Sequence, residues 1–264
     1  MIFTDYFKLS HQPFSEKIPT QQIIADERIK QGLAKLQFLT QSGLAALITG
    51  QTGVGKSTLI KLFLDSLPKN QFLPIYLHFT HVKSFGLFYL LVNTLGQEPQ
   101  RTKDRVFLQL MEKIKKLALI PIIIIDEAHL LDQNAITDLR LLISSPLDET
   151  PCIKMILAGQ MEIKNRLKQS IHADFANRIS LYFHINPLSL SQTHAYIDLQ
   201  MKRAGNGSPV FDSEVKDAIF DFSGGIPRII NNIATSCLIH AASLEKRSID
   251  FSLFNQTMSD FQLF

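Results

Sequence analysis

A glycine-rich octapeptide carries the clearest chemistry in this sequence. Residues 50–57 read Gly-Gln-Thr-Gly-Val-Gly-Lys-Ser, which fits the spacing G-x-x-x-x-G-K-[ST]. The apolar run 44–49 precedes the octapeptide and predicts a buried strand, whereas residues 56–67 follow it with a helical pattern. Between a strand and a helix, glycines let backbone N–H groups wrap a phosphate, and the helix N-terminus adds partial positive charge. The octapeptide therefore predicts a phosphate-binding loop.

Two side chains of this loop have expected roles in binding a nucleoside triphosphate. Lys56 is expected to reach the β- and γ-phosphates, and Ser57 to ligate Mg²⁺. The predicted nucleotide-binding residues are Gly50, Gln51, Thr52, Gly53, Val54, Gly55, Lys56, Ser57 and Thr58.

An acidic pair follows the most uniformly apolar strand candidate. Asp126 and Glu127 come directly after Pro121–Ile125, and a carboxylate at the end of a buried strand is costly unless a metal or strong donors lie there. We expect Asp126 to hold Mg²⁺ through water and Glu127 to orient and polarise an attacking water. The alternative is an acidic cap at a helix start. His129 is either catalytic or a histidine packed beside the strand end.

Three further residues could contact the terminal phosphate. Gln160 follows the strand candidate 152–158 and could touch the γ-phosphate or the attacking water, or be a plain turn residue. Arg178 precedes the strand candidate Leu181–Ile185 and could point at a neighbouring subunit's nucleotide, or form a surface ion pair. Arg228 follows Gly224–Gly225 in the first turn of a helix, where a cation is unfavourable unless an anion such as the γ-phosphate is near.

The order of elements predicts an α/β domain followed by a helical domain. Five strand candidates alternate with helical patterns up to residue 187, and this order implies an open parallel sheet with helices on both faces. After Pro187 only helical patterns appear, at Gln192–Ala204, Asp212–Phe222 and Pro227–Ser243. We therefore predict an α/β nucleotide-binding domain at 1–187, including an irregular N-terminal segment, and a helical domain at 188–264.

Composition excludes several classes of protein. Among 264 residues, 45% are apolar and 19% are charged, which is typical of globular proteins and not of disordered ones. The net charge of +3 permits contact with nucleic acid without requiring it. Cys152 and Cys237 lie outside any metal-ligand pattern and are expected to be buried in a reducing compartment. The first nine residues lack the apolar core of a signal peptide, and no apolar run is long enough to span a bilayer, so a cytoplasmic location is expected.

Taken together, these motifs resemble those of AAA+ ATPases, which share the P-loop fold. More narrowly, they resemble the ExeA-like family, through Tyr6-Phe-Lys-Leu…Pro13-Phe14, Leu157-Ala-Gly-Gln160, Arg178-Ile, Pro187-Leu-Ser and Ala204-Gly205. The resemblance implies a five-stranded parallel sheet, a helical lid, ATP and Mg²⁺ as ligands, and a ring or filament with ATP between subunits. It also implies a sensor at Gln160, an arginine finger at Arg178 and a second sensor at Arg228, although Gln160 departs from the Asn or Thr common at its position.

Members of this family differ in their partners. Long secretion-pathway members continue into a transmembrane helix and a peptidoglycan-binding domain, of which this sequence has no sign, whereas stand-alone members resemble transposon-encoded ATPases of the TnsC and IstB type. We therefore expect ATP-controlled assembly on double-stranded DNA, with a transposase as partner, and keep a secretion-pathway ATPase as the alternative. Lys103, Arg105, Lys113, Lys115 and Lys116 form a basic cluster that could contact DNA or be a solvated helix face.

Overall fold

The chain divides into two compact units, each with its own core. The structure, a computed structural model, describes residues 2–15, 20, 23, 25–78, 84–144 and 153–261. One unit comprises residues 23–185, and the other combines residues 1–22 with 186–264. The division lies close to the predicted boundary at 187. Cys152 and the predicted strand end at Phe79 lie outside the described residues.

The unit of residues 23–185 is a parallel α/β sheet, as the sequence predicts. Its strand order is β2-β3-β4-β1-β5, and every pairing is parallel. The strands are β1 Ala45–Thr49, β2 Phe72–His78, β3 Ile120–Asp126, β4 Lys154–Gly159 and β5 Ile179–His184. Each strand lies within about two residues of its predicted limits.

Helices cover both faces of this sheet. They are α2 Glu27–Ser42, α3 Lys56–Ser66, α4 Ser84–Thr94, α5 Lys103–Lys115, α6 Gln133–Ser144, α7 Met161–Leu167 and α8 Ala173–Ala176. Alternate residues of the central strands enter two separate cores: Ile123 and Ile125 pack with α4, α5 and α6, whereas Ile122 and Ile124 pack with α2 and α3. This burial on both faces explains why β3 is uniformly apolar.

A buried lysine connects the C-terminal end of α2 to the edge of the sheet opposite the phosphate-binding loop. Lys154, at the start of β4, is only 4% exposed. Its ammonium group donates hydrogen bonds to the carbonyl oxygens of Leu39 and Gly43, at 2.8 and 2.9 Å. These acceptors lie at the C-terminal end of α2, where unpaired carbonyls and the helix dipole favour a cation.

The second unit is helical. Its helices are α1 Phe3–Tyr6, α9 Leu190–Arg203, α10 Ser213–Ser223, α11 Pro227–Ser243 and α12 Phe251–Phe261. Ser189 caps α9 in a reciprocal capping box with Gln192, and Pro227 occupies the first turn of α11, where its missing N–H costs nothing. Cys237 is buried in this core, as predicted, and burial raises the pKa of its thiol to about 12.

The N-terminal segment, residues 2–15, belongs to the helical unit, which corrects its predicted place in the α/β domain. Tyr6, Phe7 and Phe14 are buried in the core formed by α9, α10, α11 and α12. Arg247 lies over the Tyr6 ring, 4.3 Å from its centroid, and donates a hydrogen bond to the Tyr6 carbonyl. The aromatic anchors were recognisable in the sequence, but the partner that buries them is far away along the chain.

A two-glycine turn leads from α10 into α11. Gly224 and Gly225 both have positive φ, +57° and +72°, which favours glycine. At Gly225 the backbone also passes so close to Leu188 that an added Cβ would lie 2.0 Å from the Leu188 carbonyl oxygen, whereas a Cβ at Gly224 would meet nothing within 4 Å. The Leu188 N–H donates a hydrogen bond to the Gly225 carbonyl at 2.8 Å. This contact connects the segment before α9 to the turn that precedes Arg228.

We expect Gly225→Ala to destabilise the protein much more than Gly224→Ala. The matched control carries only the left-handed strain, about 1–2 kcal/mol, whereas Gly225→Ala must also displace the Leu188 backbone, for a total of about 3 kcal/mol or more. Thermal unfolding of the full chain, followed by circular dichroism, measures the difference. Equal melting temperatures for the two variants would contradict the close contact.

Candidate active site

The sheet order brings three predicted motifs to one edge. The phosphate-binding loop follows β1, Gln160 follows β4 and the acidic pair closes β3, and β4 lies between β1 and β3. Because all these strands are parallel, their carboxyl ends meet at the same edge of the sheet. Gln160 is therefore flanked by the phosphate-binding loop on one side and by Asp126 and Glu127 on the other.

The phosphate-binding loop has the backbone that its glycines predict. Gly53 and Gly55 have φ of +80° and +114°, and Gly55 is the N-cap residue directly before α3. A Cβ at Gly50 would lie 2.8 Å from a Val54 methyl group and 2.9 Å from the Ile185 carbonyl oxygen. The loop is thus wound tightly around the N-terminus of α3, where unpaired N–H groups favour an anion.

Lys56 lies at the centre of this loop. It is 5% exposed, and its ammonium group donates hydrogen bonds to the carbonyl oxygens of Gly50 and Gln51, at 2.9 and 3.0 Å. Gln51, Thr52 and Ser57 are exposed around it, while Val54 is fully buried beneath the loop. The lysine is therefore held within the loop that is expected to carry the phosphates.

Asp126 is a buried carboxylate that accepts three hydrogen bonds at this edge. It is 1% exposed, and its Oδ2 accepts hydrogen bonds from the Ser57 hydroxyl and the Tyr76 hydroxyl, each at 2.8 Å. Its Oδ1 accepts from the Glu127 backbone N–H at 3.0 Å. The two predicted magnesium ligands, Ser57 and Asp126, are thus in direct contact. Their oxygen atoms suit Mg²⁺, which binds through few protein ligands together with phosphate oxygens.

Tyr76 was not identified from the sequence. It lies on β2, the strand beside β3, and its phenol reaches past Ile124 to Asp126. Burial, followed by the hydrogen bond and negative charge of Asp126 and the charge of Glu127, raises the pKa of the Tyr76 phenol. The hydroxyl therefore remains protonated and remains a donor. The available signal was an aromatic residue with a polar tip at an outward position of the strand next to the acidic pair.

Glu127, His129 and Gln160 form a second group beside Asp126. Glu127 has a left-handed backbone, with φ of 57° and ψ of 35°, and its side chain is 26% exposed. Its Oε2 lies 3.3 Å from Nδ1 of His129, and Nε2 of His129 lies 3.1 Å from Nε2 of Gln160. His129 packs beside the strand end, one of its two predicted settings, and it also contacts both neighbours through its ring nitrogens.

Thr49, the last residue of β1, connects this edge to the outer strand. Its buried hydroxyl is 3.0 Å from the Tyr182 hydroxyl and 2.9 Å from Nδ1 of His184, both on β5. Lys164 of α7 lies over the Tyr182 ring, 4.1 Å from its centroid. These contacts fix the strand end from which the phosphate-binding loop starts.

The two predicted arginines belong to other elements of the chain. Arg178 is half-buried between α8 and β5, and Arg228 is exposed in the first turn of α11, within the helical unit. The structure thus brings together Lys56, Ser57, Asp126, Glu127 and Gln160, and the roles of the two arginines remain predictions.

Known proteins are similar to this chain in sequence and in fold. A family described as an AAA domain matches residues 40–167. The chain is 30% identical over 248 residues to general secretion pathway protein A of Aeromonas hydrophila; the match covers 91% of this chain and 45% of that protein, so the chain spans less than half of its relative.

Two solved structures are similar over nearly the whole chain. Aeropyrum pernix ORC1 in complex with DNA has a TM-score of 0.70 at 13% identity, covering 94% of this chain and 68% of that one. Drosophila ORC bound to DNA has a TM-score of 0.71 at 14% identity, covering 97% and 66%. The fold is that of P-loop proteins of the AAA+ class. None of the helices in the described part of the chain is long and apolar enough to cross a membrane.

We expect Lys56→Ala to weaken ATP binding about ten- to a hundredfold, because the phosphates lose a charge-assisted donor. Titration with a fluorescent ATP analogue measures the affinity. Lys61→Ala, on the exposed side of the same helix, is the matched control and should bind normally. Normal binding by Lys56→Ala would remove this lysine from the site.

We expect Glu127→Gln to bind ATP with the wild-type affinity and to hydrolyse it about 10²- to 10⁴-fold more slowly, because an amide cannot act as a general base. Phosphate release under saturating ATP measures turnover, and the nucleotide titration checks binding. A Glu127→Gln protein with the wild-type turnover would exclude Glu127 as the base.

Proposed function

We propose that this chain uses ATP binding and hydrolysis to control its own assembly, and that a neighbouring copy completes each nucleotide site. The position of Arg178 is the observation that carries this proposal. In the register of the β1–β5 pairing, Ile179 lies opposite Ala45, and His184 lies opposite Thr49. Arg178 therefore lies at the edge of the sheet opposite the phosphate-binding loop.

The distance between Arg178 and its own loop is too large for a direct contact. Gly50 follows Ala45 by five positions, which at about 3.3 Å per residue is roughly 16 Å along the strand. An arginine side chain does not reach that far. If Arg178 contacts a γ-phosphate, the phosphate belongs to another copy of the chain.

The alternative role of Arg178, a surface ion pair, has less support. None of the ion pairs found among the described residues includes Arg178. Its backbone N–H donates to the Phe175 carbonyl at 3.0 Å, which fixes the residue at the end of α8. A half-buried guanidinium in this position is suited to an anion supplied from outside the chain.

The residues at the sheet edge supply the chemistry of the proposed cycle. Lys56 and the N–H groups of the loop bind the phosphates, and Ser57 with Asp126 would hold Mg²⁺, which neutralises phosphate charge when bound. Glu127 takes the proton of the attacking water, and Gln160 orients the same water or the γ-phosphate. Arg228, from the helical unit, is proposed to sense the γ-phosphate. Since both arginines respond to that phosphate, hydrolysis weakens the contact between copies.

A secretion-pathway partner is supported by the Aeromonas relative. That protein is named for the general secretion pathway, and the identity extends over 91% of this chain, including both units. We propose that this chain corresponds to the ATPase part of such a protein, whose assembly state controls a partner in the pathway.

Assembly on double-stranded DNA, with a transposase as partner, is the second candidate. Its support is the exposed basic surface of α5 and of Lys116, which follows it: Arg105, Lys115 and Lys116 are exposed, and Lys113 is half-buried. Lys103 is unsuited to this role, because its ammonium group is 2.7 Å from the buried carboxylate of Asp138 and lies over the Phe88 ring. The fold likeness to two ORC structures solved with DNA is compatible with this candidate.

Mixing two inactive variants tests the shared site. Arg178→Ala lacks the proposed finger but keeps its own nucleotide site, and Lys56→Ala has the reverse defect. We expect the mixture to regain up to about a quarter of the wild-type ATPase activity, because one interface in four would pair two intact halves if the copies mix at random. Crosslinking verifies that the variants assemble together. Co-assembly without any recovery would contradict action between copies.

Nucleotide-dependent DNA binding separates the two partner classes. If DNA is the partner, ATP should promote binding to duplexes of unrelated sequence, and affinity should fall steeply with salt because counterions are released. Charge reversal at Arg105, Lys115 and Lys116 should abolish the binding, whereas reversal at Lys30, Lys69 and Lys168, which are exposed outside α5, should not. Filter binding with ATP, ADP or no nucleotide at two salt concentrations measures this. Absence of binding throughout favours the secretion-pathway partner.

A further inference from the structure

His129 makes contacts that packing beside a strand end does not require. Its ring lies between Glu127 and Gln160, with Nδ1 3.3 Å from Glu127 Oε2 and Nε2 3.1 Å from Gln160 Nε2. A neutral imidazole has one donor and one acceptor nitrogen. With the proton on Nδ1, His129 donates to the Glu127 carboxylate and accepts from the Gln160 amide. This tautomer satisfies both side-chain contacts at once. The backbone N–H of Gln160 lies 3.5 Å from Nδ1, at the long limit of a hydrogen bond, and a protonated Nδ1 does not accept it.

The local backbone holds His129 in this position. His129 belongs to a 3-10 turn, Ala128–Leu130, that directly follows Glu127. A Cβ at Gly159 would lie 3.0 Å from the His129 backbone nitrogen and 3.4 Å from Nδ1, so the turn packs closely against the end of β4. Arg166 of α7 donates a hydrogen bond to the Leu131 carbonyl on the other side of the turn. The ring is therefore fixed by β4 and by α7, the helix that begins after Gln160.

The side chain of Glu127 has to be held in place by its neighbours. Its left-handed backbone is unfavourable for a residue with a side chain, and its N–H is already engaged by Asp126 Oδ1. A general base must be held within hydrogen-bonding reach of the water that it deprotonates, and displacement by about 1 Å can cost a hundredfold in rate. His129 is placed to supply this restraint.

We propose that His129 is a positioning residue that joins the hydrolytic glutamate to Gln160, so that the carboxylate and the amide approach the γ-phosphate and the attacking water as one unit. The proposal rests on the role proposed above for Glu127. His129 takes no proton from the water; it orients the group that does. A shift of α7 would then change the position of the Glu127 carboxylate, because Gln160 and His129 connect the two.

Two substitutions separate the hydrogen bonds from the packing. His129→Asn keeps an amide donor near the place of Nδ1, whereas His129→Leu keeps much of the ring's volume and loses both polar contacts. We expect His129→Leu to lower kcat about ten- to a hundredfold with little change in the affinity for ATP, and His129→Asn to lower kcat less, because it keeps the contact to Glu127 and loses the one to Gln160. The affinity comes from titration with a fluorescent ATP analogue and kcat from phosphate release.

A double-mutant cycle adds a readout that a structural role would not produce. If His129 acts through Gln160 as well as Glu127, the losses of kcat in His129→Leu and Gln160→Ala should be clearly less than additive in free energy in the double variant. Full additivity, normal kcat in His129→Leu, or a greater loss in His129→Asn than in His129→Leu would overturn the proposal. Glu127→Gln is measured in parallel: normal turnover there would instead exclude the role of Glu127, and the proposal with it.

Discussion

A buried carboxylate determines how the candidate site is built. Asp126, at 1% exposure, ends a strand that is buried from Pro121 onward, and an unpaired charge in that position would cost several kcal/mol. Three donors from three segments offset this cost: the Ser57 hydroxyl of α3, the Tyr76 hydroxyl of β2 and the Glu127 backbone N–H. The same contacts connect the phosphate-binding loop, the neighbouring strand and Glu127, so the geometry of each depends on Asp126.

The sheet order then separates two kinds of function in space. One edge carries the phosphate-binding loop, the acidic pair and Gln160. The opposite edge carries Arg178 and Lys154, whose ammonium group binds carbonyl oxygens at the C-terminal end of α2. A chain with its predicted catalytic groups at one edge and a candidate phosphate-contacting arginine at the other is suited to an assembly in which each copy completes the site of its neighbour. This asymmetry is the physical basis of the proposed link between ATP and assembly.

The sequence was sufficient for features that depend on neighbouring residues. Gly50–Ser57 and the acidic pair after Ile125 were recognisable because a strand, a turn and a helix start are local patterns, and the central strands were recognisable because burial on both faces makes them uniformly apolar. Helix α11 matches its prediction, Pro227–Ser243, because proline marks its start and the apolar spacing continues to its end.

Features that depend on distant contacts were not predictable. The N-terminal aromatics were identified as anchors, but their assignment to the α/β domain was wrong because the residues that bury them lie beyond residue 186. Tyr76 and the second contact of His129 follow from the pairing of β2 with β3 and the insertion of β4, which no local pattern encodes. Lys103, expected in a basic cluster, is engaged by Asp138, 35 positions further along the chain.

The central claim is that nucleotide state controls self-association, and sedimentation velocity of the wild-type chain tests it most directly. The protein is measured with ATP, with ADP and without nucleotide, at one protein concentration and with Mg²⁺ present throughout. We expect a larger assembly with ATP, which returns to the nucleotide-free size as the ATP is consumed. The same size under all three conditions, in protein that hydrolyses ATP, would contradict it.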